Sequence, residues 1–153
     1  MVREDFIALA MAPADGEPWS LPYLQRLLFL LDTRLDTLGG PHFDFKPYDY
    51  GPMSNEVRPC LEHMRHAGLV IVEGGGWVLS RFRLTWKGQE HGRALLAGIS
   101  TKDGEYVQHI AAWIRPLTFT ELSAAMQSSY PEMCARPGSS GVTDNRRGCC
   151  PCS

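Results

Sequence analysis

No apolar run in this chain approaches the length of a membrane span, so nothing in it reads as a transmembrane helix. Net charge is also scarce, at -2. That balance gives no bulk attraction to a phosphate backbone. The positive excess sits at the end, where Arg136, Arg146 and Arg147 face only Asp144, so the rest of the chain is more acidic than the total. Such a body argues against nucleic acid as the main partner, without excluding a local basic patch.

Catalytic signatures are missing as well. Gly74-Gly75-Gly76 precedes a strand pattern and has no Lys-Ser/Thr behind it, so it is no phosphate loop. There is no G-x-S-x-G and no H-E-x-x-H. Asp44, Asp49 and Glu56 are explained more simply by turns and caps than as paired carboxylates. His91 and His109 stand alone on helix patterns. We expect no enzyme and no cofactor. The start, MVREDFIALAMAPADGEPW, has early acids and only a short apolar run, which is not a secretory leader. A cytoplasmic protein follows, and with it no disulfide framework for the odd count of 5 cysteines.

What the sequence does have is helical periodicity. Leu24, Leu27, Leu28, Leu31, Leu35 and Leu38 recur at three- and four-residue steps, predicting an amphipathic helix over 21–38 with Ser20 as its cap. Such a stripe serves a core or a dimer seam equally well, so a homodimer stays open. A short helix over 5–11 precedes it. The segment 42–50, with Phe43, Phe45, Tyr48 and Tyr50, reads as extended, and Pro47 keeps it at an edge. Gly51-Pro52 reads as a corner. A helix over 54–67 follows, capped by Ser54 and ended by Gly68, and Pro59 implies a kink or a later start. Residues 69–85 read as a hairpin around the three glycines. Three more helices follow, over 86–97, 103–115 and 119–130, with Thr85 and Thr118 or Thr120 as caps. Residues 1–135 form one domain, and 136–153 a disordered Cys-containing tail.

This order predicts a mostly α fold with a small β-hairpin (α+β), a winged-helix-like domain with extra flanking helices. The helix 54–67 takes the recognition position and 69–85 is the wing. Four segments carry a family resemblance: YLQRLLFLLD (23–32), FDFKPYDYGPMSNEV (43–57), GLV (68–70) and RLTWKG (83–88). Together they resemble the Panacea, or SocA-type, antitoxin domain and the related YwgA-like bacterial proteins, over roughly residues 20 to 135. The resemblance implies a non-enzymatic role: neutralising a toxin, or adapting a partner protein for a protease. The tail departs from that pattern.

Two sets of site residues follow. A partner protein would meet Tyr48, Tyr50, Glu56 and Arg58, since aromatics and arginines anchor interfaces. DNA, the alternative, would meet Asn55, Arg58, Arg65, Arg81 and Arg83, the side chains that read base edges or touch phosphates. Glu56 and Glu62 on the same helix weigh against the second set. No metal site is expected. Cys60, His63 and His66 diverge around a helix even with His42 nearby, and Cys149, Cys150 and Cys152 lack a fourth ligand.

Overall fold

The computed structural model describes residues 1–74 and 80–134. Helix α1 (Arg3–Met11) leads to a short strand β1 (Trp19–Ser20) and then to α2 (Leu21–Arg34). A small hairpin follows, β2 (Lys46–Tyr48) with β3 (Gly51–Met53). Next come α3 (Val57–His66), β4 (Val70–Glu73) and β5 (Arg81–Leu84). The helices α4 (Trp86–Gly98), α5 (Thr101–Ile114) and α6 (Phe119–Ser129) complete the described chain. The hairpin tip and the tail, with its three cysteines, lie outside the described residues.

The fold is mixed α+β and mostly helical. Strands β1, β5 and β4 form one antiparallel sheet in that order, and β2 and β3 a second. With the β2–β3 hairpin set aside, the first six elements run helix, strand, helix, helix, strand, strand, with β1 joined to β5, which is the order of a winged helix. The first strand was not legible beforehand, because two residues carry no alternation. It exists because Trp19, 2% exposed, sits opposite Phe82 in the register and joins the core.

The leucine stripe belongs to that core. Leu24, Leu27, Leu28, Leu31 and Leu35 are buried, and Leu38 packs at its margin. The stripe is therefore not available as a dimer seam. α1 runs through the centre, with Phe6 to Met11 all buried, which accounts for a composition apolar on every side. α5 and α6 cover the other flank of α2, where the Tyr23 hydroxyl donates to the Leu117 carbonyl at 2.5 Å. Asp32 closes the loop after α2: its carboxylate accepts from the backbone N–H of His42 (2.7 Å) and of Phe43 (3.1 Å).

Caps fall where the sequence puts them, with two exceptions. Thr85 accepts from Gly88 N at 3.0 Å, and Thr118 forms a capping box with Glu121. Gly68 ends α3 with the paired bonds of a Schellman turn, Leu69 N to Met64 O and Gly68 N to Arg65 O. Ser20, however, makes no side-chain cap bond. Ser54 does not cap α3 either: the helix begins at Val57, which places Pro59 in its first turn, where proline is tolerated.

Gly51-Pro52 also differs from expectation. It is the returning strand β3 rather than a bare corner, and Pro47 stands opposite Pro52. Across a two-residue turn, the Tyr48–Gly51 pair is the hydrogen-bonded one, so the proline pair needs no N–H.

Glycines allow the closest approaches. A Cβ on Gly88 would lie 2.1 Å from the Leu69 carbonyl oxygen, and one on Gly92 would lie 2.6 Å from that of Ala8. Backbone cannot yield as a side-chain end does. Gly88→Ala should therefore lower stability by about 1–3 kcal/mol. Urea denaturation measures this, and an unchanged midpoint would contradict the contact.

Candidate functional site

The site begins inside α2. Gln25, 1% exposed, interrupts the leucines with an amide. Its Nε2 donates to the Ser54 carbonyl at 3.1 Å, and its Oε1 accepts from Ser54 N–H at 3.0 Å. The side chain thus behaves as a strand residue would, satisfying both peptide groups of a residue that has no ladder partner. Ser54 is itself 2% exposed, so those groups have no access to water.

Beside it, Arg26 lies beneath the hairpin. Gly51 has φ +145, and a Cβ there would come within 2.7 Å of Arg26 Nε. Glycine is required twice over, by the backbone and by the guanidinium. Arg26 also donates to Pro22 O at 3.2 Å and lies 5.9 Å from the Phe119 ring centroid. The α2 surface thus fixes the path from β3 into α3.

That path brings most of the predicted protein-binding residues together. Tyr48, 47% exposed, lines a groove of 470 Å³ with Asp44, Lys46, Met53, Asn55 and Glu56. A second groove, of 390 Å³, adjoins it through Met53 and Asn55 and continues past Arg58 and Pro59 to Glu62. Asn55, just before α3, and Arg58 and Glu62 on it thus line a crevice whose other wall is Leu21 and Gln25 of α2. Tyr50 is placed elsewhere: its ring packs edge-on against Phe119 at 5.7 Å.

Charges around this face are largely matched locally. Glu56 pairs with Arg3 at 2.9 Å and accepts from Asp44 N at 2.8 Å. Lys46 pairs with Asp44 at 3.0 Å, and Arg65 with Glu62 at 3.0 Å. Arg65, donating to Glu62, holds that carboxyl below the usual carboxylate value. On the sheet, Arg83 donates to Glu73 at 2.6 Å. Arg81 and Arg83 alternate with the buried Phe82 and Leu84, so they project from the outer face of the sheet, away from the core it shares with α3.

The supposed metal set disperses. His42 stacks on Phe6 at 4.2 Å, with Nδ1 2.9 Å from Asp32 Oδ1. His63 pairs with Glu4 at 3.3 Å. Cys60 is buried, and burial followed by the charge of Glu4 pushes its thiol up to about 11. It stays protonated at neutral pH, which makes it a poor nucleophile or ligand. Among the described residues no group of three ligands is gathered. No helix there is long and apolar enough to cross a membrane.

Sequence reasoning missed Gln25, Met53, Pro59 and Glu62. For Gln25 a signal existed, a polar residue amid leucines; for Met53 there was none. No model of a known protein family matches the chain, and no curated protein matches it.

Gln25→Ala would strand both peptide groups of Ser54. At about 1–3 kcal/mol for each unsatisfied group, it should cost several kcal/mol. Tyr48→Ala, on the exposed rim, should cost about 0.5 kcal/mol or less. Chemical denaturation of the two variants gives the comparison, and equal losses would contradict the assigned roles.

Proposed function

We propose that this chain is a non-enzymatic protein-interaction module of the antitoxin or adaptor type, which binds a partner protein through the β2–β3 hairpin and the outer side of α3. One observation carries the reading. Tyr48 from β2, Asn55 and Glu56 from the turn before α3, and Arg58 from α3 line two adjoining grooves on one surface. The grooves share Met53, an apolar residue flanked by ion pairs that are already formed. A surface of that kind suits an apolar or aromatic anchor with polar contacts at its rim. The Panacea-like motif order agrees with this reading. Its Leu-Gln-Arg and Tyr-Gly-Pro segments are the ones that hold the hairpin on α2.

A second reading is a winged-helix DNA-binding regulator. The element order favours it, since α3 holds the recognition position between α2 and the sheet. The charges weigh against it. Arg65 and Arg83 each face an acid, Glu62 lies on the exposed side of α3, and the net charge is -2. Duplex binding needs phosphate contacts in number.

Capture on the tagged full chain from lysate of the encoding cells, with and without nuclease, separates the two. The interaction reading predicts a stoichiometric protein that survives nuclease and is lost from a Tyr48→Ala/Asn55→Arg variant of native stability. Retention of that protein by the variant would refute the assigned face. Recovery of nucleic acid alone, with a steep salt dependence, would establish the DNA reading instead.

A further inference from the structure

The three-stranded sheet ends at β4, whose far edge has no strand beside it among the described residues. The phase of the ladder decides what that edge offers. Thr85 N donates to Leu69 O at 3.0 Å, so residues 69 and 85 form a hydrogen-bonded pair. Pairs alternate along an antiparallel ladder. Ile71 with Arg83 and Glu73 with Arg81 are then the hydrogen-bonded pairs, and Val70 with Leu84 and Val72 with Phe82 are not. The N–H and C=O groups of Val70 and Val72 therefore point outward. A groove of 440 Å³, lined by Glu62, Arg65 and residues 70 to 72, runs along this edge.

We infer that this edge pairs with the same edge of a second copy of the chain, antiparallel about a two-fold axis at Ile71. In a new ladder the outward-facing residues must meet each other. Centring the pairing on Ile71 sets Val70 opposite Val72 of the second copy, and Val72 opposite its Val70, which uses all the outward groups at once. Ile71 then meets its own copy in a non-hydrogen-bonded pair, where Cα atoms approach to about 4.5 Å and side chains lie closest. Ile71 is 38% exposed and large, and it faces away from this chain's own core. Val70 and Val72 face inward, so the two cores abut.

Charge is complementary in the same arrangement. β4 ends in Glu73, and it begins just beyond the basic last turn of α3, with His63, Arg65 and His66. Antiparallel pairing brings each Glu73, bonded to Arg83 of its own copy, toward the basic helix end of the other, where Arg65 is bonded to Glu62 and His66 adds to it. A like pairing of parallel strands would set Glu73 beside Glu73. Residues 70–73 hold no proline and no lysine, and their one charge, Glu73, is at the end of the strand and bonded to Arg83. The face proposed for a partner protein meets this groove at Glu62, which lines both, and runs from there toward Tyr48, so a dimer would display two such faces.

The test is the mass of the full chain by light scattering across a dilution series, together with two variants. The wild type should be a dimer that dissociates on dilution. Ile71→Lys, which sets two like charges in contact at the axis, should abolish the dimer mass while melting at the temperature of the wild type diluted to monomer. Ile71→Cys should give, on mild oxidation, a dimer whose linked peptides both carry position 71. A monomer at every concentration would overturn the inference. So would a dimer that survives Ile71→Lys and yields no 71-to-71 linkage.

Discussion

One buried amide organises the functional half of this molecule. Gln25 bonds both peptide groups of Ser54, and Ser54 joins the β2–β3 hairpin to α3. Ser54 belongs to no helix or strand, so without Gln25 its N–H and C=O would be buried and unmatched. With Gln25, the hairpin is tied to the buried side of α2. Arg26 and Gly51 extend the tie by one further residue on each side. α3 then starts at a fixed distance from α2, and its outer side and the hairpin share one surface. The Schellman turn at Gly68 sends the chain from α3 into β4 at a set angle, so the sheet edge inherits the same constraint.

The scaffold and the face it carries lead in different directions. A winged helix by itself suggests DNA, because its third helix is placed for a groove. Function is argued from the site, however, and folds of this kind host many functions. The hairpin inserted between α2 and α3 adds Tyr48 and Met53 beside the start of that helix. Several of the neighbouring cations are occupied by acids: Arg3 by Glu56 and Arg83 by Glu73 from elsewhere in the fold, and Arg65 by Glu62 one turn back on α3. A surface with its charges matched in this way draws little long-range attraction and selects by shape and local contact.

Much of the fold was legible in the sequence, because its signals are local. The leucine stripe, the caps at Thr85 and Thr118, and the glycine stop at Gly68 act within a turn or two of helix. The failures are equally specific. Two residues of β1 are too few to alternate, and its strand exists only through the long-range pairing with Phe82. Gly51-Pro52 looked like a corner because proline was weighed alone. Its partner across the ladder is another proline, which removes the objection. In the site, Tyr48, Tyr50, Glu56 and Arg58 could be nominated for a protein partner from their order along the chain, and Asn55 only for DNA; that Tyr50 turns to Phe119 could not be read there. The arginines were harder to judge. Glu73 reaches Arg83 from the far side of a hairpin and Glu56 meets Arg3 across the fold, and neither pairing leaves a mark in sequence spacing. Gln25 was visible as a polar break in an apolar stripe, but what it holds lies 29 residues away.

A side chain, not a ladder, protects the junction between hairpin and helix. Amide hydrogen exchange on the unmodified protein reads this protection residue by residue. The Ser54 N–H should exchange about as slowly as the amides of the α2 core, because it opens only when α2 and β3 separate. Exchange of Ser54 as fast as that of an exposed amide with no hydrogen-bond acceptor, with α2 still protected, would contradict it.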